Sequence, residues 1–267
     1  MGSDPRVLVT GAGGQVGTAL RAHLPDAIFL DRAGLDVCDG EAVRAAFRSG
    51  DVVVHTAAMT DVDGCERDPG AAFAVNAAGA ANVSASGARV ILLSTDYVFS
   101  GEAAGAYAED DPTGPLSVYG RSKLDAERAV LGRPGNLVVR TAWVYGEGRN
   151  FIRSILAAER AGKPLRVVDD QRGRPTWAGD LARALAHLVA AGTTGTVHVT
   201  GDGEPCTWAD LAELVVGHAV QRISSAELGA PAPRPRSSVL ALGRARALGV
   251  PLADWHRSVR RYLEDER

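Results

Sequence analysis

Arg6-Val7-Leu8-Val9-Thr10-Gly11-Ala12-Gly13-Gly14-Gln15-Val16-Gly17-Thr18-Ala19-Leu20-Arg21-Ala22-His23-Leu24 is the stretch that decides the fold. Residues 6–10 form an apolar run that reads as a buried strand, and residues 18–24 carry apolar positions at helical spacing. A strand, a glycine-rich turn and a helix in this order open a dinucleotide-binding α/β unit. Gly11 allows the tight turn, Gly14 lets the backbone approach a pyrophosphate, and Gly17 lets helix and strand pack closely. Gly13, Gln15 and Val16 complete the cofactor-facing turn. The free N–H groups and dipole of the helix N-terminus suit the phosphates.

Further strands follow at the spacing of a doubly wound sheet. Ala27-Ile28-Phe29-Leu30 ends at Asp31-Arg32. Asp31 is placed to hold the adenosine ribose hydroxyls, which favours NADH, whereas Arg32 could clamp a 2′-phosphate, which favours NADPH. Both cofactors stay open at this point. Leu35-Asp36-Val37-Cys38-Asp39 is expected under the adenine, with Asp39 either contacting it or capping the next helix. Asp51-Val52-Val53-Val54-His55 is a third strand, and Ala57 and Ala58 supply small residues where a cofactor lies close. His55 reads as a strand-end histidine satisfied by neighbouring backbone. Asp63, Glu66 and Asp68 read as a solvated helix start, not a metal site. Residues 71–85 read as one small-residue helix carrying Asn76 toward the cofactor, and residues 89–94 as the fourth strand.

Ligands of open parallel sheets lie beyond the carboxyl ends of the strands, which brings Ser94-Thr95-Asp96-Tyr97 to the chemistry. In Ser117-Val118-Tyr119-Gly120-Arg121-Ser122-Lys123, Tyr119 and Lys123 lie one helical turn apart on a single face. A phenol beside an ammonium is a proton donor with a lowered pKa, and the Thr95 hydroxyl can hold a substrate carbonyl against it. The glycine spacing 11, 14, 17 and the Thr95, Tyr119, Lys123 set together resemble the short-chain dehydrogenase/reductase superfamily. Residues 100–116, rich in Gly, Ala and Pro, read as a mobile loop over the site.

The resemblance sharpens at four segments: Ser94-Thr95-Asp96-Tyr97-Val98-Phe99, Tyr119-Gly120-Arg121-Ser122-Lys123-Leu124, Arg140-Thr141-Ala142-Trp143-Val144-Tyr145-Gly146 and Asp169-Asp170-Gln171-Arg172-Gly173-Arg174-Pro175-Thr176. With Asn150-Phe151 and Arg234-Pro235 they resemble the dTDP-4-dehydrorhamnose reductase family over residues 6–263. The resemblance implies a Rossmann-type sheet with a smaller C-terminal substrate-binding lobe, divided at residues 1–145 and 146–267, some segments of the second part returning to the first. It implies NADPH- or NADH-dependent reduction of the C4 keto group of a dTDP-linked deoxysugar. Tyr119 is then the proton donor and Lys123 lowers its pKa and bonds the nicotinamide ribose, while Thr95 positions the carbonyl. Asp96 and Tyr97 border the sugar, and Asn150 falls in a matching segment on the substrate side. Trp143 offers the sugar a flat wall, or packs in the core. Gln171, Thr176 and the arginines of the second half face the nucleotide diphosphate. The family continues into Ser-x-Leu-Asp-Thr where this chain reads Ser238-Val239-Leu240-Ala241-Leu242, and residues 217–232 look trimmed, so the sugar could be a relative of dehydrorhamnose.

Composition agrees. A net charge of −3 gives no electrostatic footprint for nucleic acid, and no apolar stretch approaches membrane-helix length. Cys38, Cys65 and Cys206 are too scattered for a disulfide framework or a zinc site, which fits a cytoplasmic protein. Superfamily members often pair through helices, which allows a homodimer. Three rivals have weight. A nucleotide-sugar dehydratase carries Glu where this chain has Tyr97, and an epimerase needs a tightly held, recycled cofactor. A non-catalytic regulatory subunit has no need of an aligned Thr95, Tyr119 and Lys123. In the second half, residues 152–161 read as a helix, Asp180 as a helix cap, Thr207-Trp208-Ala209-Asp210 as a capping box, and residues 255–264 as a closing helix.

Overall fold

The computed structural model describes residues 5–266. In chain order its strands are β1 (Val7–Thr10), β2 (Ile28–Leu30), β3 (Val52–His55), β4 (Arg89–Thr95), β5 (Leu137–Thr141), β6 (Val144–Tyr145), β7 (Arg166–Val168), β8 (Arg172–Gly173), β9 (Thr176–Trp177), β10 (Gly195–His198), β11 (Cys206–Thr207) and β12 (Gln221–Ile223). Six of them form one parallel sheet in the order β10-β5-β4-β3-β1-β2. The chain winds one way from β1 to β2 and the other way from β3 onward, so the switch point lies between β1 and β3. In open parallel sheets the strand ends at such a point are where ligands bind. Because both faces are covered, the strands are near-continuous Val, Ile and Leu runs. On one face, helix Ala178–Ala190 places Leu181, Leu185 and Leu188 against Val9, Leu137 and Val197. On the other, Val43, Val83, Ala126 and Val130 from three helices cover Val53, Val90 and Val138.

Helices Phe151–Arg160, Trp208–Val216 and Trp255–Asp265 build a second apolar cluster around Ile152, Leu211, Trp255 and Tyr262. The pairs β6–β9, β7–β12 and β8–β11 edge this layer. Helix Ala178–Ala190 and β10 belong to the main sheet, although they follow residue 146. The capping box at Thr207 forms as expected, with Asp210 at its third position.

Several local readings change. The residue at the cap position of helix Ala178–Ala190 is Trp177, and Asp180 sits in the first turn, bonded to Arg183 and to the Ser258 hydroxyl at 2.5 Å. Residues 71–85 are not one regular helix. A π-helical turn, Ala74–Ala78, joins helices Pro69–Phe73 and Gly79–Ala85, and such turns recur at functional sites. The segment 100–116 is pinned. Tyr107 is buried and stacks 4.2 Å from Phe99, and its backbone bonds Val239 and Ala241. Among the described residues, no helix is long and apolar enough to cross a membrane.

Beneath the sheet end lies a buried charge network. Glu127 and Arg140 are paired at 2.8 Å with almost no solvent contact. Ser94 donates to Glu127 at 2.5 Å, and Arg140 also donates to the Glu109 carbonyl at 3.0 Å. Removing one partner strands a charge in a dry interior, whereas replacing both with apolar residues does not. Arg140→Met is therefore expected to lower unfolding stability by about 3–5 kcal/mol in urea titration, and Glu127→Met with Arg140→Met to recover most of it. An Arg140→Met protein as stable as the parent would contradict this account.

Candidate active site

The helix carrying Tyr119 and Lys123 is Val118–Leu131, capped by Ser117, whose hydroxyl accepts the Gly120 N–H at 3.1 Å. Its position is set by a close approach. A Cβ on Gly120 would lie 2.2 Å from the Tyr97 carbonyl oxygen, so only glycine lets the helix press against the end of β4. Glu66 accepts the Val118 N–H at 2.7 Å, and Asn76 donates to Ser122 at 2.9 Å. Glu66 thus anchors the Tyr119 helix, Asp68 caps helix Pro69–Phe73, and Asp63 binds Arg234 and the Ala232 N–H. Exposed Asp68 is the solvated helix start expected of it, whereas half-buried Asp63 and Glu66 hold other segments in place.

Thr95 ends β4 beside Tyr119. Its hydroxyl accepts the Tyr97 N–H at 3.2 Å and donates to Asp96 at 3.0 Å. The Tyr97 and Tyr119 rings meet edge to face at 5.9 Å. Burial pushes the Tyr119 phenol well above its ordinary value, and the Thr95 hydroxyl pulls it back in part. The expected lowering by Lys123 is not what the geometry gives. Lys123 is buried, and its ammonium donates to the Leu93 carbonyl at 2.7 Å. Burial brings its own pKa down to about 8, opposed by Glu127 one turn along the helix. The Tyr119 phenol is thus shifted up by burial and not down by Lys123.

Asp96 is buried between Thr95 and the Ser238 hydroxyl, which donates to it. Desolvation pushes this carboxyl up to about 7 against those hydrogen bonds. Tyr97 is also pushed up by burial, with the Arg234 guanidinium beside it acting the other way. His55 is buried and held neutral, down to about 3. Its Nδ1 meets the Thr10 hydroxyl at 2.7 Å, so a side chain and not backbone satisfies it.

The glycine turn has the shape of a phosphate cradle. Gly11 has φ 73°, and a Cβ there would sit 2.5 Å from the Ala57 nitrogen. A Cβ on Gly17 would lie 2.3 Å from the Gly11 oxygen. Gly13 faces open space, and helix Gln15–Leu20 has no side-chain cap because Gly14 precedes it. These features fit a dinucleotide with its pyrophosphate over the turn. Val16 is buried under the turn and the Gln15 Oε1 is buried without a partner. Asp31 accepts the Gly34 N–H at 2.9 Å, Arg32 is exposed beside it, and Ala57 and Ala58 line the end of β3. Asp39 caps helix Gly40–Ala46 through the Glu41 and Ala42 N–H groups. Asn76 lies in the π-helical turn, where its amide binds both polar groups of the Met59 backbone.

On the other side of the cleft, Trp143 stacks on Trp208 at 3.7 Å. Gln171 is buried and links Trp208 to Ser225. Asn150 caps helix Phe151–Arg160 and binds Gly146 and Tyr262. The Thr176 hydroxyl is buried under the Gly201 N–H. Arg174 is engaged by the Gly203 and Leu240 carbonyls, whereas Arg172 and Arg236 stay exposed and adjacent. Sequence reasoning missed Glu127, Trp208 and Ser238 at the site. Glu127 was within reach, because it lies four residues after Lys123 on the same face. Trp208 and Ser238 arrive from distant segments and carry no local signal. No group of three His, Cys, Asp or Glu among the described residues could hold a metal.

Residues 5–267 match the family described as the RmlD substrate binding domain. A probable dTDP-4,6-dihydroxy-2-methyloxan-3-one 4-ketoreductase of Streptomyces antibioticus is 44% identical over 97% of this chain and 95% of its own length. The dTDP-4-dehydrorhamnose reductase of Streptomyces griseus is 43% identical over 94% of this chain and 90% of its own. The crystal structure of dTDP-4-dehydrorhamnose reductase from Bacillus anthracis, in complex with NADP, superposes with TM-score 0.91 at 30% identity, covering 98% of this chain and 100% of that one.

The buried Asp96 carboxyl has a pH signature. Desolvation pushes it up to about 7 in the fold, against ~3.9 unfolded, so folding takes up a proton between these values. Stability present at acid pH is lost as pH rises toward 7. Asp96→Asn should flatten that loss, by about 2 kcal/mol between pH 5 and 7, in urea titrations at each pH. Identical pH slopes for parent and variant would rule out a raised Asp96. With the cradle, the Thr95–Tyr119 pair and these matches in place, the chain belongs to the RmlD substrate binding domain family and is an oxidoreductase.

Proposed function

We propose that this chain reduces the C4 keto group of a dTDP-4-keto-6-deoxy sugar with NADPH or NADH, converting dTDP-4-dehydrorhamnose to dTDP-L-rhamnose. The observation that carries the reading is the Thr95 hydroxyl beside the Tyr119 phenol at the carboxyl end of β4, one helical turn from a buried Lys123. Two hydroxyls at one point can grip a single carbonyl oxygen. The relatives named for this reduction, and the NADP complex of the B. anthracis reductase, support the reading.

When bound over Gly11, Gly13, Gly14, Gln15 and Gly17, the nicotinamide cofactor supplies the hydride. This chain's residues do the rest. Thr95 turns its hydroxyl from Asp96 to the carbonyl oxygen and orients it. Tyr119 then gives its proton to the alkoxide that develops there. The phenol carries the proton that this strongly basic oxygen takes as it forms. Lys123 lends positive charge to the site and is placed to bond the cofactor ribose. Glu127 opposes the loss of that charge in the dry interior. Asp96, Tyr97 and Trp143 border the sugar. Asn150, Gln171 and Thr176 hold the walls of the substrate side, and exposed Arg172 and Arg236 suit the diphosphate. The site would operate in the cytoplasm with a nucleotide sugar as its partner.

A second reading concerns only the sugar. The S. antibioticus relative is named for a different dTDP-ketosugar, and Ala241-Leu242 stands where the dehydrorhamnose reductases carry Asp-Thr. A ring hydroxylated differently from dehydrorhamnose would then be preferred.

The test follows loss of nicotinamide absorbance from NADPH, and separately NADH, with dTDP-4-dehydrorhamnose. Oxidation dependent on both sugar and protein supports the rhamnose reading. Absent oxidation with retained cofactor binding moves the assignment to another ketosugar. Tyr119→Phe should keep cofactor affinity and lose at least ~100-fold in kcat, since general acid catalysis contributes on the order of 10²–10⁴-fold. Near-normal turnover in that variant would remove Tyr119 from the mechanism.

A further inference from the structure

Among the described residues, Trp143 is the one non-glycine residue with a left-handed backbone, at φ 48°. A bulky aromatic in that region is strained, and persists where its surroundings over-determine it. Three features hold Trp143. Its carbonyl accepts the Thr176 N–H at 3.1 Å. Gly173 lies so close to the indole that a Cβ there would sit 2.6 Å from the Trp143 Cε2. Trp208 stacks on the other side, 3.7 Å away with the planes 9° apart.

Trp208 is itself fixed. Phe151 packs against its ring at 4.6 Å. Its Nε1 donates to Gln171 at 3.2 Å, and the Gln171 amide donates to Ser225 at 2.9 Å. Trp143 follows β5, at the end of the main sheet, whereas Trp208 opens the helix Trp208–Val216 of the second layer. The stack therefore ties a strained residue near the strand ends to a rigid point of the opposite lobe.

Resting on the reading that a deoxysugar lies against Trp143, we infer that Trp208 is a positioning residue for that sugar. Trp208 covers one face of the Trp143 indole and Gly173 lies against the other, so the pair fixes the ring plane and sets where its half-buried edge meets the sugar. The apolar methyl of a 6-deoxy sugar is the chemistry such an aromatic edge selects.

Steady-state kinetics with dTDP-4-dehydrorhamnose and NADPH test this in Trp208→Ala, Trp208→Phe and Gly173→Ala. Trp208→Ala should raise the sugar KM about tenfold, misplacement by a fraction of the site being costly, with the NADPH KM within about twofold. Trp208→Phe keeps a flat ring behind Trp143 and should recover most of the sugar KM. Gly173→Ala, which leaves Trp208 intact, should raise the sugar KM as well. An unmoved sugar KM in Trp208→Ala and Gly173→Ala overturns the inference, and Gly173→Ala decides alone if Trp208→Ala does not fold. A parallel rise in the NADPH KM also overturns it, since that reports general loosening. Absence of turnover by the parent overturns the substrate reading and this inference with it. Parent turnover with unmoved variants overturns the inference alone.

Discussion

A buried ammonium needs a counter-charge, and the side-chain network around β4 answers that constraint. Lys123 is nearly free of solvent, and burial alone drives it toward the neutral amine. Glu127, one turn away, is the counter-charge, yet a carboxylate in the same interior needs its own partners. Arg140 and Ser94 provide them. Arg140 in turn reaches Glu109, so the network extends from the catalytic helix through two strands to the 100–116 segment. Through Glu127 the Tyr119 helix is thus tied to Ser94 of β4 and Arg140 of β5.

The second organising feature is that the two layers are joined at the cleft by side chains from distant parts of the chain. Asp96 at the end of β4 meets Ser238, and Trp143 meets Trp208. Arg234 lies beside Tyr97 while binding Asp63. These contacts bring side chains of the second layer to the same end of β4 as Thr95 and Tyr119. They are costly ones: a buried carboxyl pushed up to about 7 and an aromatic in a left-handed conformation. Strain and desolvation of this kind gather where a site needs fixed geometry.

The proposed chemistry asks little else of the protein. Tyr119 would bring the proton, from a phenol that burial pushes up. This differs from the reading of Tyr119 as a phenol acidified by its lysine neighbour. In the folded chain the ammonium points to the Leu93 carbonyl, and the phenol answers mainly to burial.

The strand-turn-helix opening, the parallel sheet and the Thr95, Tyr119 and Lys123 set were legible in the sequence because each rests on local chemistry. Glycine spacing dictates a turn, apolar runs dictate buried strands, and a four-residue interval puts two side chains on one helix face. Asn150, Thr176 and Gln171 were picked out by motif alone, and the fold engages their side chains in caps and wall contacts. The drop in Tyr119 acidity, the pinned 100–116 segment, the π turn at Asn76 and the role of Trp208 were decided by tertiary structure. Each depends on desolvation or on groups far apart in the chain, and neither quantity exists until the two layers have closed on one another.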